Sequence, residues 1–322
     1  MKVLITGVTG FIGYNLANRL LLEHKYEVYG IDNLNNNTNQ RNIKVKRLKQ
    51  LNKLKKKFYF TNLNINNKER LNSYIQKNKF SIFVHLAAEA GVRNSFDNPI
   101  NFFETNVKGF FNVLHCSKEN KIKHLIYASS SSVYGNTNFF PQNEIDNTDN
   151  PESIYAATKK SNEILAYAYS KNYGLKCTGL RFFTVYGPYG REDMALYKFT
   201  EAIIKNKIIH LFNSGNHYRD FTYIDDAIDA IIKIILNKKK RKNLHEIYNI
   251  GKGRANNIKE YINNISKVLN KKPKIKNTKF QKGDVYKTLS DIKKIKKDYK
   301  YHPKININLG IKKYIKWFKD FY

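Results

Sequence analysis

Residues 2–13 read KVLITGVTGFIG, and this stretch decides the fold class of the chain. Its β-branched beginning predicts a strand over Lys2–Thr6, and the amphipathic pattern after the turn predicts a helix. Between them, Gly7, Gly10 and Gly13 recur at every third residue. Glycine permits a tight turn and a close approach of the backbone to a pyrophosphate, and the N-terminus of the next helix offers free N–H groups to phosphate oxygens. The stretch therefore predicts the phosphate turn of a dinucleotide-binding βαβ unit.

The second predicted strand ends in an acidic residue, about twenty residues beyond the turn. There Asp32 is placed to accept a hydrogen bond from a ribose hydroxyl, which favours NAD over NADP as the cofactor. Two alternatives stay open, because Asp32 can simply begin a loop and because Arg41 and nearby lysines can accommodate a 2′-phosphate.

The rest of the first half alternates short apolar runs with longer helical patterns. Strands separated by helices imply βαβ units and a parallel sheet. We therefore expect an α/β fold, a Rossmann-type doubly wound parallel sheet followed by a smaller mixed α/β C-terminal lobe. The predicted strands are Lys2–Thr6, Glu27–Ile31, Phe58–Thr61, Ile82–Leu86, Leu125–Ala128 and Lys176–Phe183, with helices near 11–23, 67–78, 98–120 and 153–173 and either a helix or a loop at 42–57.

The regular alternation of strand and helix patterns ends after residue 184, where Gly187, Pro188 and Gly190 interrupt it. We expect residues 1–184 to form an NAD-binding Rossmann domain. Residues 185–322 are expected to form mainly a substrate lobe, with some segments returning to the first domain. Helical patterns in this second part lie near 194–205, 225–236, 257–270 and 308–322.

Composition narrows the class of protein. The 322 residues are 41% hydrophobic, so a sizeable core is available, and no apolar run reaches the roughly 18 residues of a membrane span. The only two cysteines and the lack of a secretory signal favour a cytoplasmic protein. Its net charge of +32 is spread along a chain rich in Lys, Asn and Ile, without a nucleic-acid-binding motif. We therefore expect no membrane and no nucleic-acid partner, and the scattered histidines suggest no metal site.

A tyrosine and a lysine four residues apart begin the predicted helix near 153–173. That spacing puts Tyr155 and Lys159 on one helix face, and a plain surface pair is the simplest interpretation. The run YASSSSVYG at 127–135 favours a second interpretation, because it follows a predicted strand at the edge where such sheets bind ligands. A phenol has a pKa near 10, and a neighbouring ammonium together with a positively charged nicotinamide lowers that pKa. The tyrosine can then take a proton from a sugar hydroxyl as its hydride leaves to NAD, with a serine hydroxyl completing the hydrogen-bond path.

Several motifs resemble the extended short-chain dehydrogenase/reductase family over nearly the whole chain. They are the glycine turn, HLAA at 85–88, the serine run before VYG, and the Tyr-x-x-x-Lys pair. Within that family, four further stretches are similar to UDP-glucuronate 4-epimerases: LAAEAGVRNSFDNP, FFTVYGPYGREDMALYKFTEAI, GNHYRDFTYIDD and QKGDVYKTLSD. The resemblance implies an NAD-dependent enzyme that inverts C4 of a UDP-sugar through a 4-keto intermediate, from UDP-glucuronate to UDP-galacturonate.

The resemblance also implies roles for individual residues. Ser130 matches the catalytic Ser/Thr, Tyr155 the base and Lys159 its orienting partner, and the last two also contact the cofactor. The usual Asp at position 62 is Asn here, which keeps an acceptor for adenine but loses a charge. The expected cofactor-binding residues are Gly7, Gly10, Phe11, Ile12, Gly13, Asp32, Asn62, Leu63, Leu86, Ala87, Ala88 and Asn106, and the expected substrate-binding residues are Ser130, Ser131, Ser132, Thr184, Arg191, Arg219 and Asp284.

The serine run separates epimerases from related enzymes. The resembling 4,6-dehydratases carry an Asp-Glu pair after the catalytic Ser/Thr, whereas Ser131 and Ser132 stand there in this chain. Neutral hydroxyls from Ser131, Ser132 and Thr184 can hold the C6 carboxylate of a glucuronate without repelling it. Arg191 is a candidate additional cation for this carboxylate, or alternatively a surface arginine in a loop.

Three other functions are alternatives to the inversion of UDP-glucuronate. The chain can instead be a UDP-glucose or UDP-N-acetylglucosamine 4-epimerase, or a non-catalytic nucleotide-binding protein on the same scaffold. The intact set Ser130, Tyr155 and Lys159 speaks against the non-catalytic alternative. By analogy with relatives, the helices near 98–120 and 153–173 are expected to form a homodimer interface.

Overall fold

The computed structural model describes residues 1–24, 26–34, 41–237, 243–281 and 283–322. Over these residues, seven strands form one sheet in the order β10–β6–β5–β4–β1–β2–β3. The neighbouring pairs from β3 to β5 are parallel. These strands are β1 (Lys2–Thr6), β2 (Glu27–Asp32), β3 (Phe58–Asn62), β4 (Ile82–His85), β5 (His124–Ser130), β6 (Cys177–Phe182) and β10 (His245–Ile250). The expected doubly wound α/β fold is confirmed.

Helices follow most of the strands, as the alternating pattern predicts. The amphipathic helix α1 buries Leu16, Ala17 and Leu20 on one side. The stretch 42–57, which fitted a helix or a loop, is helical as far as Lys53, where helix α2 ends. The helices of this part are α1 (Phe11–Glu23), α2 (Arg41–Lys53), α3 (Lys68–Asn78), α4 (Val92–Asp97), α5 (Pro99–Phe102), α6 (Gly109–Glu119) and α7 (Ile154–Tyr173).

The strands at the centre of the sheet are buried because helices cover them, which explains why their sequences are continuously apolar rather than alternating. All four residues of β4 are buried. One apolar cluster joins sheet and helices through side chains such as Leu4, Phe83 and Leu125. This rigid core holds the strand ends at which the predicted site residues lie.

The expected helix over 98–120 is interrupted. Residues Phe103–Lys108 form a π-helical segment between α5 and α6. Such segments insert an extra residue per turn and are frequent at functional sites. The sequence periodicity did not reveal the interruption, because the apolar side chains continue on both sides of it.

The second part of the chain contains smaller sheets. Among the described residues, one has the strand order β11–β9–β7 and another pairs β12 with β8. Its strands are β7 (Thr184–Tyr186), β8 (Ile208–Phe212), β9 (Tyr218–Tyr223), β11 (Ala255–Asn257) and β12 (Lys274–Thr278), and its helices are α8 (Ala195–Ile204), α9 (Ile224–Leu236), α10 (Ile258–Leu269), α11 (Lys293–Tyr299) and α12 (Ile307–Phe321).

The chain divides into two compact units that are not contiguous in sequence. The first unit comprises residues 1–135, 147–181 and 231–248, and the second comprises 136–146, 182–230 and 249–322. Residues 136–146 belong with the second unit although they lie before residue 184, and residues 231–248 belong with the first unit. The functions expected for the two parts stay predictions.

Candidate active site

The phosphate turn has the geometry that its glycines predict. Gly7 has a left-handed φ of +68°, and a Cβ added there would lie 2.7 Å from the backbone nitrogen of Ala87. A Cβ at Gly13 would clash with the carbonyl oxygen of Gly7. Gly10 is the N-cap of α1, and it has no side chain to cap the N–H groups of the first turn. Phe11 and Ile12 begin that turn. The turn is therefore a backbone cradle at a helix N-terminus, which fits a pyrophosphate.

Asp32 lies at the end of β2, directly beside this turn. Its Oδ2 accepts a hydrogen bond from the backbone N–H of Thr9 at 3.2 Å, and its Oδ1 pairs with Lys44 Nζ at 3.3 Å. The fully buried Arg47 donates to the Thr9 carbonyl oxygen at 2.8 Å. Helix α2 thus braces the turn through two cations, and neither Lys44 nor Arg47 was singled out from the sequence.

The residues expected around the rest of the cofactor lie at neighbouring strand ends. Asn62 ends β3 and is the register partner of Asp32, and it is exposed. Leu63 follows directly and is buried in the apolar cluster. Both lie at the carboxyl edge of the sheet, where ligands bind in doubly wound folds.

The segment after β4 runs beside the phosphate turn. Leu86 N donates to the carbonyl oxygen of Thr6 at 3.2 Å, and Ala87 and Ala88 follow it. The buried Asn106, in the π-helical segment, accepts from Glu89 N at 2.8 Å and donates to Glu89 O at 3.0 Å. The amide of Asn106 therefore fixes this segment.

Tyr155 and Lys159 lie one turn apart on α7. The ammonium of Lys159 is 6.0 Å from the centroid of the Tyr155 ring and donates to Ala128 O at 2.9 Å. This hydrogen bond brings α7 to the end of β5, next to the serine run. Lys159 is 2% exposed, and burial lowers its pKa to about 8. The surface-pair interpretation is therefore wrong for Lys159.

The serine run forms a turn at the end of β5. Ser130 caps the short 3-10 turn Ser131–Tyr134, because its Oγ accepts from Ser132 N at 3.2 Å. The Ser130 and Ser132 hydroxyl oxygens are 3.0 Å apart. We call Ser130–Ser132 the serine turn. Its side chains are hydroxyls and include no carboxyl group.

A buried ion pair lies behind the serine turn. Glu163, two turns after Tyr155 on α7, accepts from Arg181 Nε at 2.9 Å and from Arg181 Nη2 at 2.8 Å. Burial works to lower the pKa of Arg181, but Glu163 and Tyr134 raise it above its ordinary value, so the guanidinium stays charged. Sequence reasoning missed both residues, although a charged residue inside the apolar strand CTGLRF was an available signal.

The second unit carries the other predicted substrate-binding residues. Thr184 begins β7 and is partly exposed. The guanidinium of Arg191 forms a two-pronged ion pair with Asp193, with nitrogen–oxygen distances of 2.9 and 2.5 Å. Arg191 is therefore not simply a solvated surface arginine.

Arg219 and the segment that contains Asp284 come together in the same unit. Arg219 Nη1 donates to the carbonyl oxygens of Tyr218 and Tyr286, at 3.0 and 3.2 Å. Asp284 is two residues before Tyr286 and donates its own N–H to Gln281 O. The neighbouring buried Asp220, not predicted from the sequence, accepts hydrogen bonds from two separate segments, around 252–253 and at Ser290. The segments that contain Arg219 and Asp284 are therefore joined through the carbonyl oxygen of Tyr286.

The arrangement in the first unit supports proton transfer at a bound ligand. The Lys159 ammonium, with Tyr155 one turn before it on α7, lies at the end of β5 where the serine turn begins, and the phosphate turn follows β1 in the same sheet. Among the described residues, no group of three His, Cys, Asp or Glu side chains can hold a metal ion. Within the same described part of the chain, every helix is too short or too polar to cross a membrane.

Known proteins resemble this chain along its whole length. Protein CapI of Staphylococcus aureus is 40% identical over 100% of this chain and 99% of its own length. The UDP-glucuronate 4-epimerase of Thermodesulfobacterium geofontis is 39% identical, with 98% of this chain and 96% of that protein covered. The crystal structure of UDP-glucuronic acid 4-epimerase from Bacillus cereus in complex with UDP-glucuronic acid and NAD has a TM-score of 0.93 and 32% identity, with 100% of both chains covered. The profile described as NAD dependent epimerase/dehydratase family matches residues 3–251, and the chain belongs to that family.

Proposed function

We propose that this protein inverts C4 of UDP-glucuronate to give UDP-galacturonate, through a transient 4-keto sugar. The observation that carries the proposal is the serine turn Ser130–Ser132, which offers hydroxyls and no carboxyl group beside Lys159 and the end of β5. The full-length similarity to UDP-glucuronate 4-epimerases supports the same substrate.

NAD fits the residues of the first unit. The glycine turn would hold the pyrophosphate, Asp32 the adenosine ribose, and Asn62 the adenine. When bound, NAD accepts a hydride from C4 of the sugar and later returns it, so no net oxidation occurs. Asp32 lies at the end of β2 beside the phosphate turn, where its carboxylate can accept from a ribose hydroxyl, and this supports NAD.

Tyr155 acts as the base in this proposal. Its phenolate takes the proton of the sugar hydroxyl, and the Lys159 ammonium stabilises the phenolate by charge. The Ser130 hydroxyl hydrogen-bonds the reacting oxygen. After the keto sugar has rotated about its diphosphate linkage, the hydride is returned to the opposite face of C4, and the tyrosine returns the proton to the C4 oxygen.

The hydroxyls of Ser131, Ser132 and Thr184 would hold the C6 carboxylate. A C4 ketone makes this carboxylate a β-keto acid that loses carbon dioxide readily. Neutral donors can keep the breaking bond poorly aligned with the ketone without repelling the anion. Because Arg191 is paired with Asp193, a substrate carboxylate would share that guanidinium with Asp193. Arg219 and Asp284 would bind the diphosphate and the uridine ribose.

The oligomeric state and the cellular location of the protein also belong to this proposal. We expect a homodimer, because α5, α6 and α7 expose large apolar side chains in the first unit, among them Ile100, Phe111 and Ile164. We also expect a cytoplasmic enzyme, since both cysteines are free thiols.

The test is turnover of purified protein with UDP-glucuronate, UDP-glucose and UDP-N-acetylglucosamine, followed by NMR of the sugar at C4. We expect inversion of UDP-glucuronate to be the fastest. Faster inversion of either neutral sugar would overturn the substrate. Tyr155→Phe should remove turnover while UDP still binds, and unchanged turnover in this variant would overturn the base.

A further inference from the structure

The buried pair Glu163–Arg181 contacts the residues on both sides of the serine turn. Before the turn, Ser129 Oγ donates to Glu163 Oε1 at 2.6 Å. After it, the Arg181 guanidinium lies 4.8 Å from the centroid of the Tyr134 ring. One ion pair therefore contacts the chain immediately before Ser130 and again where the 3-10 turn ends.

The same pair joins this turn to the helix of the proposed base. Tyr155, Lys159 and Glu163 follow one another at four-residue spacing on α7 and so share a face. Lys159 bonds to Ala128 O, and Glu163 bonds to Ser129 Oγ, one residue further along β5. Arg181 lies on β6, and its bonds to Glu163 join that strand to α7 and, through Ser129, to β5.

Every polar member of the network is shielded from water. Ser129, Glu163 and Arg181 are 2%, 4% and 3% exposed. A two-pronged guanidinium–carboxylate pair in such a place has fixed geometry, because water cannot substitute for either partner. Replacing a buried pair with apolar side chains often leaves stability unchanged, so stability alone does not explain this one.

We infer that Glu163 and Arg181 are positioning residues that clamp the serine turn at a fixed distance from Tyr155 and Lys159. Both are buried, and they act through Ser130. The inference rests on the proposed epimerisation. A displacement of about 1 Å of a reacting group can cost about 100-fold in rate, so loss of the clamp should lower kcat and leave KM nearly unchanged.

Ser129→Ala removes the bond on the strand side and leaves the ion pair intact. We expect kcat to fall about tenfold, with the affinities for UDP and NAD within about twofold of wild type. The matched control is Ser117→Ala, because Ser117 is equally buried and donates to Val113 O at 2.6 Å within α6, away from the turn. This control should keep its kcat.

The paired variant Glu163→Met with Arg181→Met separates positioning from stability. It leaves no unpaired buried charge, so its melting temperature should stay near that of wild type while kcat falls about 10- to 100-fold. A folded paired variant with wild-type kcat would overturn the inference.

The decisive measurement is Ser129→Ala in a Ser130→Ala background. If the clamp acts through Ser130, the second substitution should cost little further rate, whereas additive losses would contradict it. The assay uses whichever UDP-sugar the wild type inverts. Wild-type preference for UDP-glucose would overturn the proposed substrate and leave the clamp test intact, and a wild type that inverts no UDP-sugar would overturn both.

Discussion

Gly7 and Gly174 have the same backbone conformation but different surroundings. Both have φ of +68°, and a Cβ at Gly7 would lie 2.7 Å from Ala87 N, whereas a Cβ at Gly174 would meet nothing within 4 Å. We expect Gly174→Ala to cost only the left-handed strain, about 1–2 kcal/mol. Gly7→Ala should cost more and should abolish NAD binding, because the turn must move. Urea unfolding and calorimetric titration with NAD measure both effects, and equal losses in the two variants would refute the steric argument.

Lys159 predicts a pH dependence of stability. Its pKa is lowered by burial to about 8 in the folded protein, against about 10.4 in an unfolded chain. Between these values the unfolded chain binds more protons, so this group makes folding more favourable as pH rises. Relative to Lys159→Met, the wild type should gain about 2 kcal/mol of unfolding free energy between about pH 7 and about pH 9.5.

Chemical denaturation of both proteins at the two pH values tests this expectation. Lys160→Met is the control, since Lys160 follows directly on α7 and forms a partly exposed pair with Asp149. A constant difference between wild type and Lys159→Met across the range would contradict the lowered pKa.

At the scale of elements, α7 performs two tasks on its two sides. One side carries Tyr155, Lys159 and Glu163 toward the strand ends. The other exposes Ile164 and Tyr167, at 57% and 59%. Exposed apolar side chains on adjacent helices indicate a surface that another protein chain covers. The proposed homodimer would bury this side.

Ile164→Glu should therefore produce a monomer, because a charge at the centre of an apolar interface would be buried without a partner. Ile208→Glu is a matched control: Ile208 is 54% exposed and lies on β8 of the second unit. Sedimentation velocity should show a dimer for wild type and for the control. A dimeric Ile164→Glu protein would exclude this face as the interface.

At the scale of the whole molecule, the net charge of +32 affects the encounter with an anionic substrate. Raising the salt concentration from about 0.01 M to about 0.1 M shortens the screening length from about 30 to about 10 Å. We expect kcat/KM for UDP-glucuronate to fall about threefold to tenfold over this range, while kcat at saturation stays constant. Steady-state kinetics at graded potassium chloride measures this, and a salt-independent kcat/KM would show that the basic surface does not steer the substrate.

The sequence by itself determined the first strand, the phosphate turn, the alternation of strands and helices, and the spacing of Tyr155 and Lys159. These features are local, because hydrophobic periodicity and glycine spacing determine the conformation of a few neighbouring residues. The bounds of α1 agree with its pattern, and α7 begins one residue after the predicted start.

Only the tertiary structure decided which distant groups meet. Lys44 pairs with Asp32, and Glu163 with Arg181, across chain separations that carry no pattern. The same holds for the π-helical interruption around Asn106 and for the place of residues 136–146 in the second unit. The physical reason is that a buried charge or amide must find a partner, and the fold, not the spacing along the chain, determines which partner lies within hydrogen-bond distance.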